Sequence, residues 1–200
     1  MGRLPADKRR EQLLDCAADL FANRGYARAT TAQLAKAAGV TEPIIYRHFK
    51  SKRDLYVALI ERTAKQTLKH WQQRLSDATD PAERLRRVLA ENPMVSEEGR
   101  APYRVLLQAI TEVDDPEIRK AVTNHFQNLH GFLAKELKRA QEDRKSLKAF
   151  SPELIAWTLI HVGLGYGVLE ALGVEGQGTD PRGGHVQGLI ERLVVGKQAE

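Results

Sequence analysis

The 200-residue sequence predicts an all-α fold, and three observations lead to this prediction. Strand signals are nearly absent, because there is no sustained alternation of apolar and polar residues and no Asn-Gly or Asp-Gly hairpin dipeptide. Apolar residues recur at helical spacing along almost the whole chain. Beyond residue 62, proline or glycine occurs in every break between the periodic segments. The chain is therefore expected to be a series of helices joined by loops.

Composition excludes several classes of protein. The content of 42% hydrophobic and 28% charged residues is typical of a globular chain. The longest apolar runs, such as LLQAI at 106–110, are too short to cross a bilayer, and the charged N-terminus lacks the apolar stretch of a signal peptide. A single cysteine, Cys16, excludes an internal disulfide framework. We therefore expect a soluble, cytoplasmic protein with no membrane partner, no cofactor and no metal site.

The first two helices are predicted with their ends. The first spans 7–23, and Gly25 lies just past its end, where a left-handed cap is expected. Its apolar face is formed by Leu13, Leu14, Ala17, Leu20 and Phe21. The second begins at a capping box of Thr30 and Gln33 and stops at Gly39. It is expected to bury Leu34, Ala35 and Ala38.

The next two helices have start signals of their own. Thr41 is a good N-cap for the third, and Pro43 fits its first turn. The fourth begins at Ser51, with Asp54 three residues on as its partner. Five further helices are predicted at 82–92, 101–112, 116–144, 152–172 and 182–196.

The second and third helices, joined by AAGVT, form a helix-turn-helix pattern. At 100° per residue, Ile45 and Phe49 fall together on a face directed to the core. The outward residues are Pro43, Ile44, Arg47 and His48, with Tyr46 at the flank. An exposed isoleucine beside basic and aromatic side chains suits a helix that lies in a major groove.

Charge is concentrated in the same part of the chain. Residues 1–60 hold 11 Lys and Arg against 6 Asp and Glu, whereas residues 61–200 hold 20 against 20. This favours an N-terminal module that meets a polyanion, although a solvated basic surface has the same composition. The basic lead-in of Arg3, Lys8, Arg9 and Arg10 can reach the DNA backbone or minor groove, or can be disordered.

Several short motifs occur here in order. They are LFANRGY at the end of the first helix, TTAQLAKAAGV across the second, and YRHFKSK closing the third. With these motifs residues 8–62 resemble the N-terminal DNA-binding domain of the TetR/AcrR family of bacterial transcriptional regulators. The resemblance implies a helix-turn-helix DNA-binding domain at 1–62 and a larger helical ligand-binding and dimerisation domain at 63–200. It also implies a homodimeric, ligand-responsive repressor of a palindromic operator in double-stranded DNA.

The resemblance also implies roles for individual residues. Phosphates are expected to be held by Thr31, Tyr46, His48 and Lys52, and base edges to lie nearest Glu42, Pro43, Ile44 and Arg47. Thr41 is expected to bind DNA without a more specific role. Arg47 can bridge guanine O6 and N7 or contact a phosphate, and Ile44 can touch a thymine methyl. Glu42 can accept a hydrogen bond from cytosine N4 or simply favour the helix dipole, and the second interpretation is preferred.

The C-terminal half carries weaker signals. The GLGYG run at 163–167 has the wrong spacing for a phosphate loop, so its glycines are assigned to close helix packing or to a bend that opens a pocket. In the resembling family the last two helices form the dimer interface. The predicted interface residues are Ile160, Gly163, Gly167, Ala171, Leu189 and Leu193.

An apolar ligand pocket is also predicted. Its expected lining is Leu106, Ile110, Phe126, Leu129, Leu133, Trp157, His161 and Leu164, any of which could instead be an ordinary core residue. Such a lining suits a small apolar or amphipathic effector. His125 and His130 are interpreted as satisfied or surface histidines rather than ligand contacts, and the same interpretation is the preferred alternative to the pocket role of His161.

Other functions are less well supported. The chain contains no HExxH, GxSxG or Walker motif, so an enzyme is not predicted. A non-specific architectural DNA-binding protein rarely needs a neutral body of 140 residues. An all-α ligand-binding bundle without a DNA role does not explain the confined positive charge. The sequence leaves the effector, the operator and the choice between repression and activation open.

Overall fold

The computed structural model describes residues 4–89, 97–143 and 150–175, and within them the fold is all-α. Eight α-helices are present in these ranges: α1 Ala6–Arg24, α2 Thr31–Ala38, α3 Glu42–His48, α4 Lys52–Arg74, α5 Pro81–Leu89, α6 Glu97–Gln108, α7 Pro116–Asp143 and α8 Pro152–Ala171. A short 3₁₀-helix, Ala109–Glu112, follows α6. The predicted fold class is confirmed, and the helix predicted at 182–196 lies outside the described residues.

The ends of α1 and α2 follow local chemistry. Thr30 and Gln33 form the predicted capping box, in which each side chain is hydrogen-bonded to the other residue's backbone N–H. Gly39 ends α2 in the left-handed conformation, with φ 64° and ψ 36°. Gly25 also has a positive φ of 76°, but its ψ of 155° places it outside the left-handed helical region expected there. The predicted buried residues Leu34, Ala35 and Ala38 are buried.

The start of α4 agrees with the prediction, whereas the predicted side-chain cap of α3 is absent. Ser51 Oγ accepts from the backbone N–H of Asp54, as expected for the start of α4. The Asp54 carboxylate in turn accepts from the N–H of Lys50. Thr41 occupies the N-cap position of α3 but makes no side-chain capping bond. Its hydroxyl therefore does not define this helix in the way that Thr30 defines α2.

The later helices lie close to the predicted spans. Helix α4 continues to Arg74, so the predicted domain boundary between residues 62 and 63 falls inside one helix. The predicted helix at 101–112 is α6 followed by the 3₁₀ turn.

The chain divides into two compact units. The first comprises residues 1–65 and 97–125, and the second residues 66–96 and 126–200. The first unit thus contains α6 and the beginning of α7 as well as the helix-turn-helix.

The aromatic centre of the first unit is Tyr56, whose ring is stacked on Tyr26 at 4.4 Å and meets Phe21 edge-on at 5.2 Å. The buried Tyr56 hydroxyl donates to the carbonyl oxygen of Val105 on α6, 2.8 Å away. Burial raises the pKa of Tyr56, so the hydroxyl keeps the proton that it donates.

The second unit has its own apolar core, formed by Trp71, Leu75, Ala82, Leu85, Val88, Leu129, Leu133, Leu137, Ala140, Ala156 and Ile160. At its edge the buried carboxylate of Glu136 accepts from Arg84 at 2.7 Å and from Arg139 at 2.9 Å. Arg84 also donates to the carbonyl oxygens of Leu75 and Ala78 beyond the end of α4. These bonds satisfy a carboxylate that would otherwise be buried without partners.

Helix α8 differs from the others because it is apolar on nearly every side. By length and composition it is long enough and apolar enough to cross a membrane, although only 17% of its apolar window is buried. This finding corrects the expectation that no segment of the chain is long enough. One such helix is weak evidence for a membrane span, because an apolar helix that packs against another protein surface has the same composition.

Candidate functional site

The outward face of α3 carries the predicted DNA-contacting residues, but they differ in exposure. Thr41, Pro43, Tyr46 and Arg47 are exposed, and Tyr46 presents 52% of its surface. Ile45 and Phe49 are buried as predicted. Ile44, expected to be fully outward, is half-buried, as are Glu42 and His48. The resulting surface has one exposed guanidinium and one exposed phenol beside a partly covered isoleucine.

Three polar side chains on this surface form a hydrogen-bonded chain. The Thr31 hydroxyl, at the start of α2, donates to Oε1 of Glu42, at the start of α3. The hydroxyl oxygens of Thr31 and Tyr46 lie 3.2 Å apart. All three residues were expected to contact DNA, but their contacts with one another were not foreseen. These hydrogen bonds join the first residues of the two helices of the helix-turn-helix.

The ammonium group of Lys52 is held by the loop between α1 and α2. Its Nζ lies 2.9 Å from the carbonyl oxygen of Tyr26, 3.1 Å from that of Ala29 and 3.4 Å from that of Ala27. It also lies 4.3 Å from the centroid of the Tyr26 ring. An ammonium group has three N–H donors, and there are three carbonyl acceptors around this one. A phosphate contact by Lys52, implied by the resemblance, stays a prediction and requires exchange of at least one of these bonds.

Helix α1 is fixed against the helix-turn-helix by contacts that sequence reasoning missed. The Gln12 side-chain amide donates to the carbonyl oxygen of Ala38 at 3.3 Å. The Arg10 guanidinium lies 4.9 Å from the centre of the buried Phe49 ring, a cation–π contact directly after α3. Lys8, Arg9 and Arg10 of the predicted basic lead-in are therefore helical, whereas Arg3 lies outside the described residues.

Comparison with known proteins decides the family. A family model described as bacterial regulatory proteins of the tetR family matches residues 13–59. The transcriptional activator FasR of Mycolicibacterium smegmatis is 35% identical over 120 residues, which are 60% of this chain and 54% of FasR. The nucleoid occlusion factor SlmA of Marinobacter nauticus is 32% identical over 66% of this chain and 68% of its own length. The chain belongs to the TetR family. The TetR family is one of bacterial DNA-binding transcriptional regulators, which are not enzymes.

Solved structures support the TetR-family fold over nearly the whole chain. A protein of Saccharomonospora viridis, determined in complex with choline, superposes with a TM-score of 0.81 at 24% identity, covering 94% of this chain and 98% of that one. AibR, determined with isovaleryl coenzyme A and operator DNA, gives a TM-score of 0.70 at 19% identity, covering 95% and 100%. At these identities the likeness shows the shared fold.

The predicted ligand-pocket residues of this TetR-family chain fall into different environments. Leu129 and Leu133 are buried in the core of the second unit, and Phe126 and Leu164 pack against that core. Leu106 is buried in the first unit. Ile110, expected to face inward, is 60% exposed in the 3₁₀ turn, because the last residues of its predicted α-helix change to 3₁₀ geometry. A cavity of about 470 Å³ in the second unit contains none of these predicted residues and is lined by Ala78, Thr79, Pro81, Arg84, Arg139 and Glu142.

The predicted dimer face of α8 needs correction. Ile160 and Gly167 are buried within the single chain, and Ile160 belongs to the core of its own unit, so they are not available to a second subunit. Gly163 is half-buried and Ala171 is exposed, whereas Leu189 and Leu193 lie outside the described residues. The error has a physical cause: because α8 is apolar all round, periodicity offers two apolar faces and no rule for choosing between them.

The opposite face of α8 is the exposed one. We call this face the outer stripe, and it consists of Leu154, Trp157, His161, Gly165, Val168 and Leu172. Trp157 and His161, predicted to line a pocket, therefore point outward. The Trp157 ring is stacked on His130 at 4.5 Å and lies near His161 at 6.2 Å, and the His130 ring nitrogen Nε2 lies 3.1 Å from the carbonyl oxygen of Glu153. A Cβ added at Gly165 meets nothing within 4 Å in the described part of the chain.

Proposed function

We propose that this chain is a sequence-specific, ligand-responsive transcriptional regulator that binds a palindromic operator as a cytoplasmic homodimer. The observation that carries the proposal is α3, a short helix with Arg47 and Tyr46 exposed, whose inward face is fixed by the buried Ile45 and Phe49. A rigidly seated helix with polar side chains on its free face is what readout of the major groove requires. The surplus of positive charge in residues 1–60 supports the same interpretation.

The domain assignment is part of this proposal. Residues 1–62 bind DNA, with contacts from the predicted residues of α2, α3 and the start of α4. Residues 63–200 bind the effector and the second subunit. We further propose repression released by a small apolar or amphipathic effector. The similar proteins differ in role and ligand: FasR is named an activator, and the two solved structures were determined with choline and with isovaleryl coenzyme A.

A second copy of the chain is the proposed occupant of the outer stripe. The stripe is exposed in the single chain, with Leu154 at 55% and Leu172 at 71%. A continuous apolar face of this kind marks a protein or membrane contact site. The TetR family assembles through its C-terminal helices, and the opposite face of α8 already lies against its own subunit. A twofold axis would place the two outer stripes against each other, so each subunit buries the same residues.

The deciding experiment is DNA binding over a salt series. The purified chain is titrated onto a duplex from the upstream region of its own gene and onto a scrambled duplex of the same composition. Selective, tight binding to the first supports the regulator, and transcription in vitro from that promoter then distinguishes repression from activation. If the upstream duplex shows no preference, selection from a randomised duplex library follows. Failure to enrich any sequence, with equal salt-steep binding to all duplexes, would overturn sequence specificity.

One alternative has a specific observation in its favour. SlmA, 32% identical over 68% of its length, is named a nucleoid occlusion factor. A regulator of one promoter and a protein that binds many chromosomal sites make different predictions. Chromatin immunoprecipitation that finds one or a few promoter sites supports the proposal, whereas sites spread across the chromosome away from promoters support the architectural alternative.

A further inference from the structure

The hydrogen-bonded chain across the helix-turn-helix has a fixed direction. An ionised carboxylate such as that of Glu42 accepts hydrogen bonds and donates none. The single hydroxyl proton of Thr31 is therefore the one that bonds Oε1 of Glu42. Thr31 has no second proton to give to Tyr46, so the Tyr46 phenol must be the donor across their 3.2 Å separation. Both hydroxyl protons thus point along the chain and end at Glu42.

This direction conflicts with the proposed phosphate contacts. A DNA phosphate is an acceptor and needs a donor proton from the protein. For Thr31 to bind one, its hydroxyl must turn away from Glu42. The Glu42 carboxylate then loses its donor in a half-buried position close to a phosphate of the same charge, and leaving a partly buried charge without a partner is unfavourable.

A base edge can supply the missing donor. Glu42 is the first residue of α3, the end of the helix that in this fold class contacts bases in the major groove. The exocyclic N4 amino group of cytosine is the donor to which acidic side chains bond in that groove. With cytosine present, Glu42 exchanges one donor for another. With any base that lacks an amino group at that point, the carboxylate repels the phosphate without compensation.

We propose that Glu42 makes the phosphate contact of Thr31 conditional on a cytosine in each half-site, and so determines specificity mainly by weakening binding to other sequences. This inference rests on the proposed sequence-specific DNA binding. It differs from simple base reading, because the same residue that recognises the base also controls a backbone contact.

Two substitutions with the same chemistry test the proposal. Glu42→Gln removes the charge and keeps an acceptor for Thr31. Glu61→Gln removes the same charge from an exposed site on α4 and is the matched control. Both variants and the wild type are titrated at fixed salt onto a duplex selected by the wild type from a randomised library and onto its scrambled counterpart. We expect Glu42→Gln to strengthen binding to the scrambled duplex about 3- to 10-fold and to lower the selected-to-scrambled ratio at least 10-fold. The control is expected to change the dissociation constants for the selected and the scrambled duplex by the same small factor.

A base analogue locates the partner of Glu42. Each cytosine of the selected duplex is replaced in turn by 2-pyrimidinone, which lacks the N4 amino group. At one position in each half-site the wild type is expected to lose roughly 10- to 100-fold in affinity, and Glu42→Ala to lose nothing further there. When Thr31→Val is combined with Glu42→Gln, the stronger binding of Glu42→Gln to the scrambled duplex should disappear. The valine has no hydroxyl that could turn from residue 42 to a phosphate.

The outcomes separate the inference from the function on which it rests. If the wild type enriches no sequence, the proposed function fails and the inference fails with it. If the wild type is selective but Glu42→Gln and Glu61→Gln behave alike, only the inference is overturned. Coupling of Glu42 to an adenine amino group instead of cytosine would overturn the assignment of the base. Melting temperatures of all variants within 2–3 °C of the wild type, on the order expected for substitutions outside the buried core, confirm that binding and not folding has changed.

Discussion

The helix-turn-helix and α8 show two ways in which a sequence determines a helix. In α2 the residues that start and stop the helix are Thr30, Gln33 and Gly39, each through its own side chain or backbone freedom. In α8 the start is equally clear, because the Ser151 hydroxyl accepts from the N–H of Leu154. The Ser51 hydroxyl makes the same kind of bond at the start of α4. The faces differ. Helix α2 has one apolar face, whereas α8 is apolar all round, so only packing against the rest of its unit decides which side is buried.

Two glycines on opposite sides of α8 give the largest expected effect. Gly167 is buried, so Gly167→Leu is expected to destabilise the subunit by about 2–3 kcal/mol through overpacking. Gly165 lies on the outer stripe with open space around it, so Gly165→Leu should leave the subunit folded and weaken the dimer roughly 100-fold.

Urea unfolding and sedimentation across a concentration series measure these two effects. A Gly165→Leu dimer as tight as the wild type would contradict the proposed interface. Flotation of the wild type with lipid vesicles, in place of self-association, would instead assign the outer stripe to a membrane.

A buried histidine gives an effect of similar size and tests packing in the first unit. Burial lowers the pKa of His125 to about 4, against about 6.5 in the unfolded chain. Between these values the unfolded state binds more protons, so stability is complete above pH 6.5 and falls by roughly 3 kcal/mol as the pH is lowered to 4.

The free energy of unfolding measured between pH 7 and pH 4 checks this expectation. His125→Gln should flatten the slope in that window, whereas His161→Gln, at an exposed position, should leave it unchanged. Equal slopes in all three proteins would show that His125 does not control the acid sensitivity.

Arg47 tests the DNA-binding role of the helix-turn-helix. If its exposed guanidinium reads a guanine, Arg47→Ala should weaken binding to the selected duplex by roughly 1–3 kcal/mol and relax base preference at one position. Arg104→Ala removes one positive charge from an exposed site on α6 and is the control. Equal weakening on selected and scrambled DNA would show that Arg47 contacts phosphate alone.

Two threonines at N-cap positions give the smallest expected effect. They test directly whether a side-chain capping bond stabilises the start of a helix. Thr30 accepts from the N–H of Gln33, whereas Thr41 makes no side-chain capping bond. Thr30→Ala is therefore expected to lower the free energy of unfolding by about 1 kcal/mol, and Thr41→Ala by clearly less. Urea unfolding measures both, and equal losses would contradict the distinction between the two caps.

The sequence predicted the features that depend on neighbouring residues. The capping box of Thr30, the end of α2 at Gly39 and the inward direction of Ile45 and Phe49 follow from spacings of three or four residues, and all are confirmed. The predicted DNA-contacting role of these helices' outward residues stays a prediction, although the family that it implied is shown.

Features that join distant segments could not be predicted. The Lys52 ammonium contacts carbonyl oxygens of residues 26–29, more than twenty positions away, and no periodic signal marks a backbone acceptor. The two faces of α8 were exchanged for the same reason, because Ala156 and Ile160 are buried in a core that they share with residues of α4, α5 and α7. The chain from Tyr46 through Thr31 to Glu42 was missed although each residue had been singled out, since spacing shows which face a residue occupies and not which neighbour it contacts.

The position of Trp157 gives the protein a built-in optical signal. The chain has two tryptophans, of which Trp71 is buried in the core of the second unit and Trp157 lies on the outer stripe, stacked on His130. Indole fluorescence shifts to the red in water and to the blue in an apolar environment. The red component of the emission therefore belongs to Trp157, and its blue shift on self-association would follow the burial of that surface without any attached dye.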